Sequence, residues 1–334
     1  MLSHQVTTYT VVQIGNLDRA RIANILGLAN ETQRAFRFEF APESFPLDEK
    51  HKVPGAYDME SAIQSIIRST PLPRPLIFLS AQPYGQHEAG DLTSNIFFSD
   101  TGLEFDPRIS IVSTYLWEEM TSGHDLQSYI LYSLAQIVLA QIANLEYHME
   151  TRGCLFDYCE ETEDIFVSMK GNGLCSYHDS IVHQTSGTTP DLIASAMRLY
   201  NRAANKKLCF VAMPFTAVLE PMYKRMSRLL RKKGWTVQRA DEIVYPRLIT
   251  DAILEAILKS DLVIADLTDE NANVFYEVGL AQGLGCDVML LTQNPELPFD
   301  VAASRTIFYE LTEDGLRKLG RELDRFIESN IVRG

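Results

Sequence analysis

The sequence predicts an α/β protein with a C-terminal flavodoxin-like or Rossmann-like parallel sheet, helices on both of its faces, and an N-terminal α/β region carrying a Cys/His segment. Three observations predict it. From Lys207 onward, short and almost continuously apolar runs alternate with helical periodicities, the pattern of strands buried on both faces by crossover helices. Before that point, short runs rich in β-branched or aromatic residues alternate with helical stretches. Between the two, QTSGTTPD has the Gly, Ser, Thr and Pro content of a linker. A chain of 334 residues, 46% of them hydrophobic, is long enough for two cores. The expected organisation is an N-terminal domain over 1–184, with its Cys/His segment at about 148–183, a linker and connecting helix over 185–205, and a C-terminal domain over 206–334.

In the N-terminal region the strand candidates are 9–14, 35–40, 75–80, 94–99 and 108–113, most bounded by turn formers. Helical periodicity covers 58–68 and then 126–147, where Leu131, Leu134, Ile137, Val138 and Ile142 recur mainly every three or four residues. That second helix should be largely buried. A connecting helix is expected at 191–204. The C-terminal series runs strand 208–212, amphipathic helix 219–233 stopped by Gly234, strand 235–239, helix 249–260 and strand 261–266, which reads DLVIAD. It continues with helix 274–284 stopped by Gly285, strands 288–292 and 306–311, and a closing helix at 315–328.

The balance of 44 acidic to 30 basic residues gives a net charge of −14, which repels polyphosphate backbones and argues against nucleic acid as a partner. No apolar run approaches bilayer-spanning length, and MLSHQVTTYT lacks the regions of a signal peptide, so a soluble, cytoplasmic protein with no membrane association is expected. Five scattered cysteines, an odd number, point to reduced thiols or metal ligands. Cys154-x4-Cys159-x15-Cys175-x2-His178 has two close pairs separated by a loop, which fits a structural tetrahedral zinc site; His148 or His183 is an alternative to His178. The competing reading is a patch of small buried residues.

In a parallel sheet, ligands bind beyond the carboxyl ends of the strands. That rule selects Met213, Pro214 and Phe215 after the first C-terminal strand, Arg239 and Asp241 at the end of the second, and Asp266 at the end of the third. The loop TDENAN leads to Asn273, the expected N-cap of the next helix. At ~100° per residue, Glu277 falls between Ala281 and Leu284 on the arc that also holds Val274 and Val278, so it should face the sheet and crevice. A first-turn position would let the helix dipole favour its ionised form, as a nucleophile or oxocarbenium stabiliser requires. Asp266 would then act as acid or base or hold a ribose hydroxyl. Acidic first-turn residues also serve as caps and strand-end aspartates as loop anchors. Their convergence with Arg239 and Asp241 on one rim favours chemistry.

The ordered set FVAMPF, RADEI, SDLVIADLTDENANVFYEVGLAQGLG, LLTQ and PFD, over roughly 208–309, resembles the nucleoside 2-deoxyribosyltransferase-like group, which overlaps with TIR-like bacterial defence domains. The resemblance implies that Glu277, in the Glu-x-Gly-x-Ala segment with Gly279 and Ala281, attacks the anomeric carbon. It also implies that Asp266 is the strand-end aspartate, that Asn273 contacts the sugar, and that Tyr276 and Gly279 lie at the substrate. Met213 and Phe215 would stack against the base, and Arg239 would hold a phosphate or carbonyl. A homo-oligomer, with crevices completed by neighbouring subunits, is implied in the same way. The N-terminal half is faintly similar to metzincin-type peptidase domains, but its long helix, YILYSLAQIVLAQIANLEYH, has no His-Glu-x-x-His motif.

The expected function is cleavage or transfer of the N-glycosidic bond of a nucleoside, nucleotide or NAD, as a hydrolase or transferase that needs no organic cofactor, in the setting of bacterial antiviral defence. The alternative is a nucleotide-sensing regulator that uses the same crevice without chemistry.

Overall fold

The computed structural model describes residues 6–88, 91–95, 99–117, 121, 125–159, 162–243, 249–294 and 306–331. The chain forms two compact units, Met1–Asn205 and Lys206–Gly334.

The first unit is built on a sheet of β1 (Thr7–Ile14), β2 (Phe36–Phe45), β5 (Leu76–Ser80), β8 (Ser99–Asp100) and β9 (Ile109–Ser113), in the order β2-β1-β5-β9-β8. All neighbours are parallel except β8, which runs antiparallel to β9 at the edge. A smaller mixed sheet joins β3 (Lys52–Val53), β4 (Ala56–Asp58), β6 (Tyr84–Glu88) and β7 (Asp91–Asn95). The run expected at 94–99 is therefore divided between β7 and β8, and 96–98 lie outside the described residues. Alternation along the main strands separates two cores. Tyr9, Val11, Ile77, Leu79 and Val112 face one, and Val12, Ile14, Leu76, Phe78, Ile109 and Ile111 face the other, where α2 (Met59–Ser69) packs through Met59, Ile63 and Ile66.

Residues 15–34 carry no expected element, yet α1 (Arg19–Thr32) is there. Asp18 caps it through the Arg21 amide, and Ile22, Ile25, Leu26 and Ala29 are buried on one face. The long helix is α3 (Leu126–Ala143), capped by Asp125 and ended by Asn144 in the left-handed region at φ 48°. Contrary to the expectation above, it is long and apolar enough to cross a membrane, the one such helix among the described residues; 78% of it is buried, as befits a core helix. The segment after it folds into α4 (Thr162–Lys170) and α5 (Ser176–Gln184). Next, α6 (Pro190–Ala203), expected as a connector, packs along α3 within the first unit's core.

The second unit contains β10 (Lys207–Ala212), α7 (Glu220–Lys232), β11 (Trp235–Arg239), α8 (Ile249–Lys259), β12 (Leu262–Asp266), α9 (Ala272–Gly283), β13 (Val288–Thr292), β14 (Thr306–Phe308) and α10 (Glu313–Ile331). Its strand order, β11-β10-β12-β13-β14, is parallel throughout. That is the flavodoxin-like order 2-1-3-4-5, whose topological switch point lies between the first and third strands, here β10 and β12. Cys209, Val211, Val237, Leu262, Ile264, Met289 and Leu291 face α7 and α10, whereas Phe210, Ala212, Val263, Ala265 and Leu290 face α8 and α9. Because both faces are covered, every residue of β12 is buried. At about 1.5–3 kcal/mol per buried large aliphatic side chain, such strands set the position of the rim firmly.

Candidate functional site

The end of β12 and the helix that follows it carry two buried carboxyl groups. Asp266 closes β12 at 1% exposure and follows Ile264 in the strand alternation, on the face of α7 and α10. One carboxylate oxygen accepts the Thr268 amide at 2.9 Å; the other accepts the Tyr309 hydroxyl at 2.5 Å. Burial raises the Asp266 pKa, and the hydrogen bonds from Thr268 and Tyr309 oppose that rise.

Glu277 is 7% exposed, on the side of α9 that carries Val274, Val278 and Ala281 and that covers β10, β12 and β13. The inward orientation predicted from the wheel is what the fold produces. Glu277 has no hydrogen-bond or ion-pair partner among the described residues. Burial alone lifts its pKa to about 7. The helix begins at Ala272, capped by Asn271, whose side chain accepts the Asn273 amide at 2.9 Å. Two expectations are corrected by this. Asn273 is not the N-cap but an exposed helical residue, and Glu277 lies in the second turn, where desolvation outweighs the dipole. No hydrogen bond joins Glu277 to Asp266 among the described residues.

The remaining rim residues divide into exposed and locked groups. Phe215 is 60% exposed and Tyr276 66%; the Arg239 guanidinium lies over the Phe215 ring at 5.6 Å from its centroid. Met213 is a core residue beneath the rim and not a stacking platform; Pro214 is also buried. Gly279 lies on the exposed side of α9 with open space where a Cβ would stand. Arg239 is 8% exposed and fully engaged: Nε and Nη2 donate to Asp241 at 2.6 and 2.8 Å, Nη1 donates to Glu220 at 2.9 Å, and Tyr223 stacks at 4.0 Å. Burial opposes its charge, but the two carboxylates hold it firmly protonated. With this pairing the guanidinium fixes the end of β11 and has no free fork for a phosphate, which removes the role expected for it. Of the motifs, PFD lies outside the described residues.

Sequence reasoning gave no role to Tyr309, nor to Thr268, which ends the third rim cluster, nor to Gln293 of the LLTQ motif. Tyr309 continues the β14 line, its backbone N–H donating a hydrogen bond to the Thr292 carbonyl, and its hydroxyl lies 3.4 Å from both Thr268 Oγ1 and Gln293 Nε2. A polar aromatic residue at the end of the edge strand β14 was the available signal.

In the first unit, His148, Cys154, Cys175 and His178 bring their ligand atoms within 4.8 Å of one another. Cys175 Sγ lies 3.1 Å from His148 Nε2, and His178 Nδ1 lies 3.3 Å from Cys154 Sγ and 3.5 Å from Cys175 Sγ. Tetrahedral zinc with ordinary bond lengths gives ligand–ligand edges of about 3.3–3.8 Å, so the donor set fits that ion. His178 Nε2 faces the Glu146 carbonyl at 2.7 Å, the outer contact that fixes which ring nitrogen faces a metal. Cys159 is corrected out of the set and His148 takes its place. The chain turns tightly at Cys154–Asp157, His148 pairs with Asp157, and the Cys159 thiol points to the Asp157 carbonyl. His183 instead bonds its own helix at the Asp179 carbonyl.

No family model and no curated protein matches the chain. Solved structures similar to it include the 2-deoxyribosyltransferase of Bacillus psychrosaccharolyticus, at 23% identity and TM-score 0.27, over 31% of this chain and 85% of that one. The Clostridium botulinum CMP N-glycosidase is similar at 25% identity and TM-score 0.27, over 34% of this chain and 98% of that one. An archaemetzincin of Methanopyrus kandleri is similar at 12% identity and TM-score 0.37, over 55% and 98%.

Proposed function

We propose that the second unit cleaves or transfers the N-glycosidic bond of a nucleoside, nucleotide or NAD, with Glu277 as nucleophile. The supporting observation is a carboxyl group buried without a partner, on the helix that follows the switch-point strand, within the Glu-x-Gly-x-Ala segment. An unpaired buried carboxyl group costs stability and needs a reason to be there.

In the proposed reaction an ionised Glu277 oxygen forms a bond to the anomeric carbon as the C–N bond breaks. The bonding pair leaves with the base; a nucleobase takes up a proton from solvent, whereas nicotinamide leaves NAD neutral and takes up none. Water, or an N–H nitrogen of a second base, then attacks the anomeric carbon, gives its proton to solvent and releases Glu277 as the carboxylate, closing a hydrolysis or a transfer. The Phe215 and Tyr276 rings flank the rim as surfaces for the base.

The test is incubation of the full chain with NAD and a panel of ribonucleosides, 2′-deoxyribonucleosides and their 5′-monophosphates, with and without a second base, comparing wild type with Glu277→Gln. Base release by wild type and not by the variant is expected. Equal release from both removes Glu277 as nucleophile, and tight binding without turnover makes the crevice a sensor.

We further propose that His148, Cys154, Cys175 and His178 hold a structural zinc ion that ties α5 to the turn at 152–157, four protein ligands leaving no open position for catalysis.

A further inference from the structure

The Asp266–Tyr309 pair joins the ends of two strands separated by β13, and its hydrogen-bond directions constrain what Asp266 can do. The Thr268 amide can only donate, so the oxygen facing it is an acceptor. On the other oxygen, the Tyr309 hydroxyl sits at 2.5 Å, 4% exposed. Gln293 Nε2 donates to that hydroxyl from behind, and the Gln293 amide donates to Thr268 Oγ1 at 3.2 Å. With its lone pair taken by Gln293, the tyrosine directs its proton at Asp266. Both carboxylate oxygens are thereby held as acceptors, with the Thr268 hydroxyl a further donor beside them. A general acid would have to present a proton of its own, which these hydrogen bonds oppose and burial favours.

We propose that Tyr309 is a positioning residue that holds Asp266 as an ionised acceptor for a hydroxyl of a furanose, so that Asp266 recognises the sugar and does not protonate the departing base. This rests on the N-glycosidic reading of the same rim. Tyr309 acts through Asp266 and need not touch substrate itself. The class of ligand selected is a nucleoside or nucleotide whose sugar carries a free hydroxyl at the rim, and analogues lacking that hydroxyl are discriminated against.

The experiment measures binding by calorimetry in the Glu277→Gln background, so that nothing is consumed. The probes are a 2′-deoxyribonucleoside, the matching 2′,3′-dideoxynucleoside and the 5′-deoxy analogue. Relative to Glu277→Gln, adding Tyr309→Phe should weaken the hydroxylated probe about tenfold and leave one deoxy analogue unchanged, which abolishes the discrimination between them. Gln293→Leu should move the same ratio in the same direction by about threefold, and serves if Tyr309→Phe melts early. Equal weakening of all probes means a merely structural role and overturns the proposal, as does no change in any. In the Glu277 enzyme, loss of the alkaline limb of kcat/KM on Tyr309→Phe would make Asp266 the proton donor and overturn it as well. Absence of any nucleoside or nucleotide binding and turnover by the wild type strikes the N-glycosidic reading itself, and this proposal falls with it.

Discussion

Glu277→Gln should make the protein more stable and inactive at once, and the size of each effect follows from one buried carboxyl. In the folded chain, burial raises the Glu277 pKa from the ordinary 4.5 to about 7. The fold therefore prefers the protonated form. Below the unfolded value there is no cost; the cost of ionisation grows as pH rises from 4.5 towards 7 and is complete above it. At about 1.4 kcal/mol for each pH unit of displacement, its ceiling is about 3 kcal/mol, and residual solvent contact reduces it to about 1–2 kcal/mol. Glutamine is neutral at every pH, so the variant should match wild type near pH 4.5 and exceed it by about 1–2 kcal/mol at pH 8, a rise in Tm of about 3–8 °C for a unit of this size. Differential scanning calorimetry across that range measures it. Base release should fall on the order of 10³-fold or more, and the wild-type kcat/KM should rise with pH through about 7 as the nucleophile ionises. A variant less stable than wild type at pH 8 would refute the reasoning, because it would mean that the carboxylate has a stabilising partner.

Further outcomes are expected elsewhere in the chain. Plasma mass spectrometry should find about one zinc per wild-type chain; Cys154→Ala or Cys175→Ala should lose it, whereas Cys159→Ala should keep it. Gly279→Ala fills open space on an exposed helical face and should stabilise the unit by about 0.5–1 kcal/mol in a urea titration. A fall in turnover in that stabilised variant would place the glycine against substrate. Arg239→Met breaks both carboxylate pairings of a mostly buried guanidinium and should cost about 2 kcal/mol, read as a lower urea midpoint at unchanged slope.

What the sequence disclosed and what it withheld divide along a physical line. Glu277 could be placed from three neighbours, because Val274, Val278 and Ala281 define a buried arc over two helical turns and the carboxyl must share it. The parallel sheet was legible for a similar reason: β12 and β13 are apolar without alternation, as only strands covered on both faces can be. Even α1 carried its signal in the spacing of Ile22, Ile25, Leu26 and Ala29. Contacts made across distance in the chain left no such trace. Tyr309 reaches Asp266 over 43 residues, and nothing in the local pattern at either position encodes the other. Arg239 shows the converse failure, since a rim cation reads as a ligand for anions until Glu220, 19 residues away, is seen to occupy it. The metal cluster lies between these cases. Spacing named Cys154, Cys175 and His178, which the fold does bring together, but the choice between Cys159 and His148 depended on a turn at Asp157 whose direction is set by backbone bonds to Cys154 and His148. The same distinction bears on the chemistry. The helical pattern that buries Glu277 is legible in one dimension, whereas the hydrogen-bond surround of Asp266 is set by Thr268, Gln293 and Tyr309 converging from three strand ends, and only the folded chain exposes it.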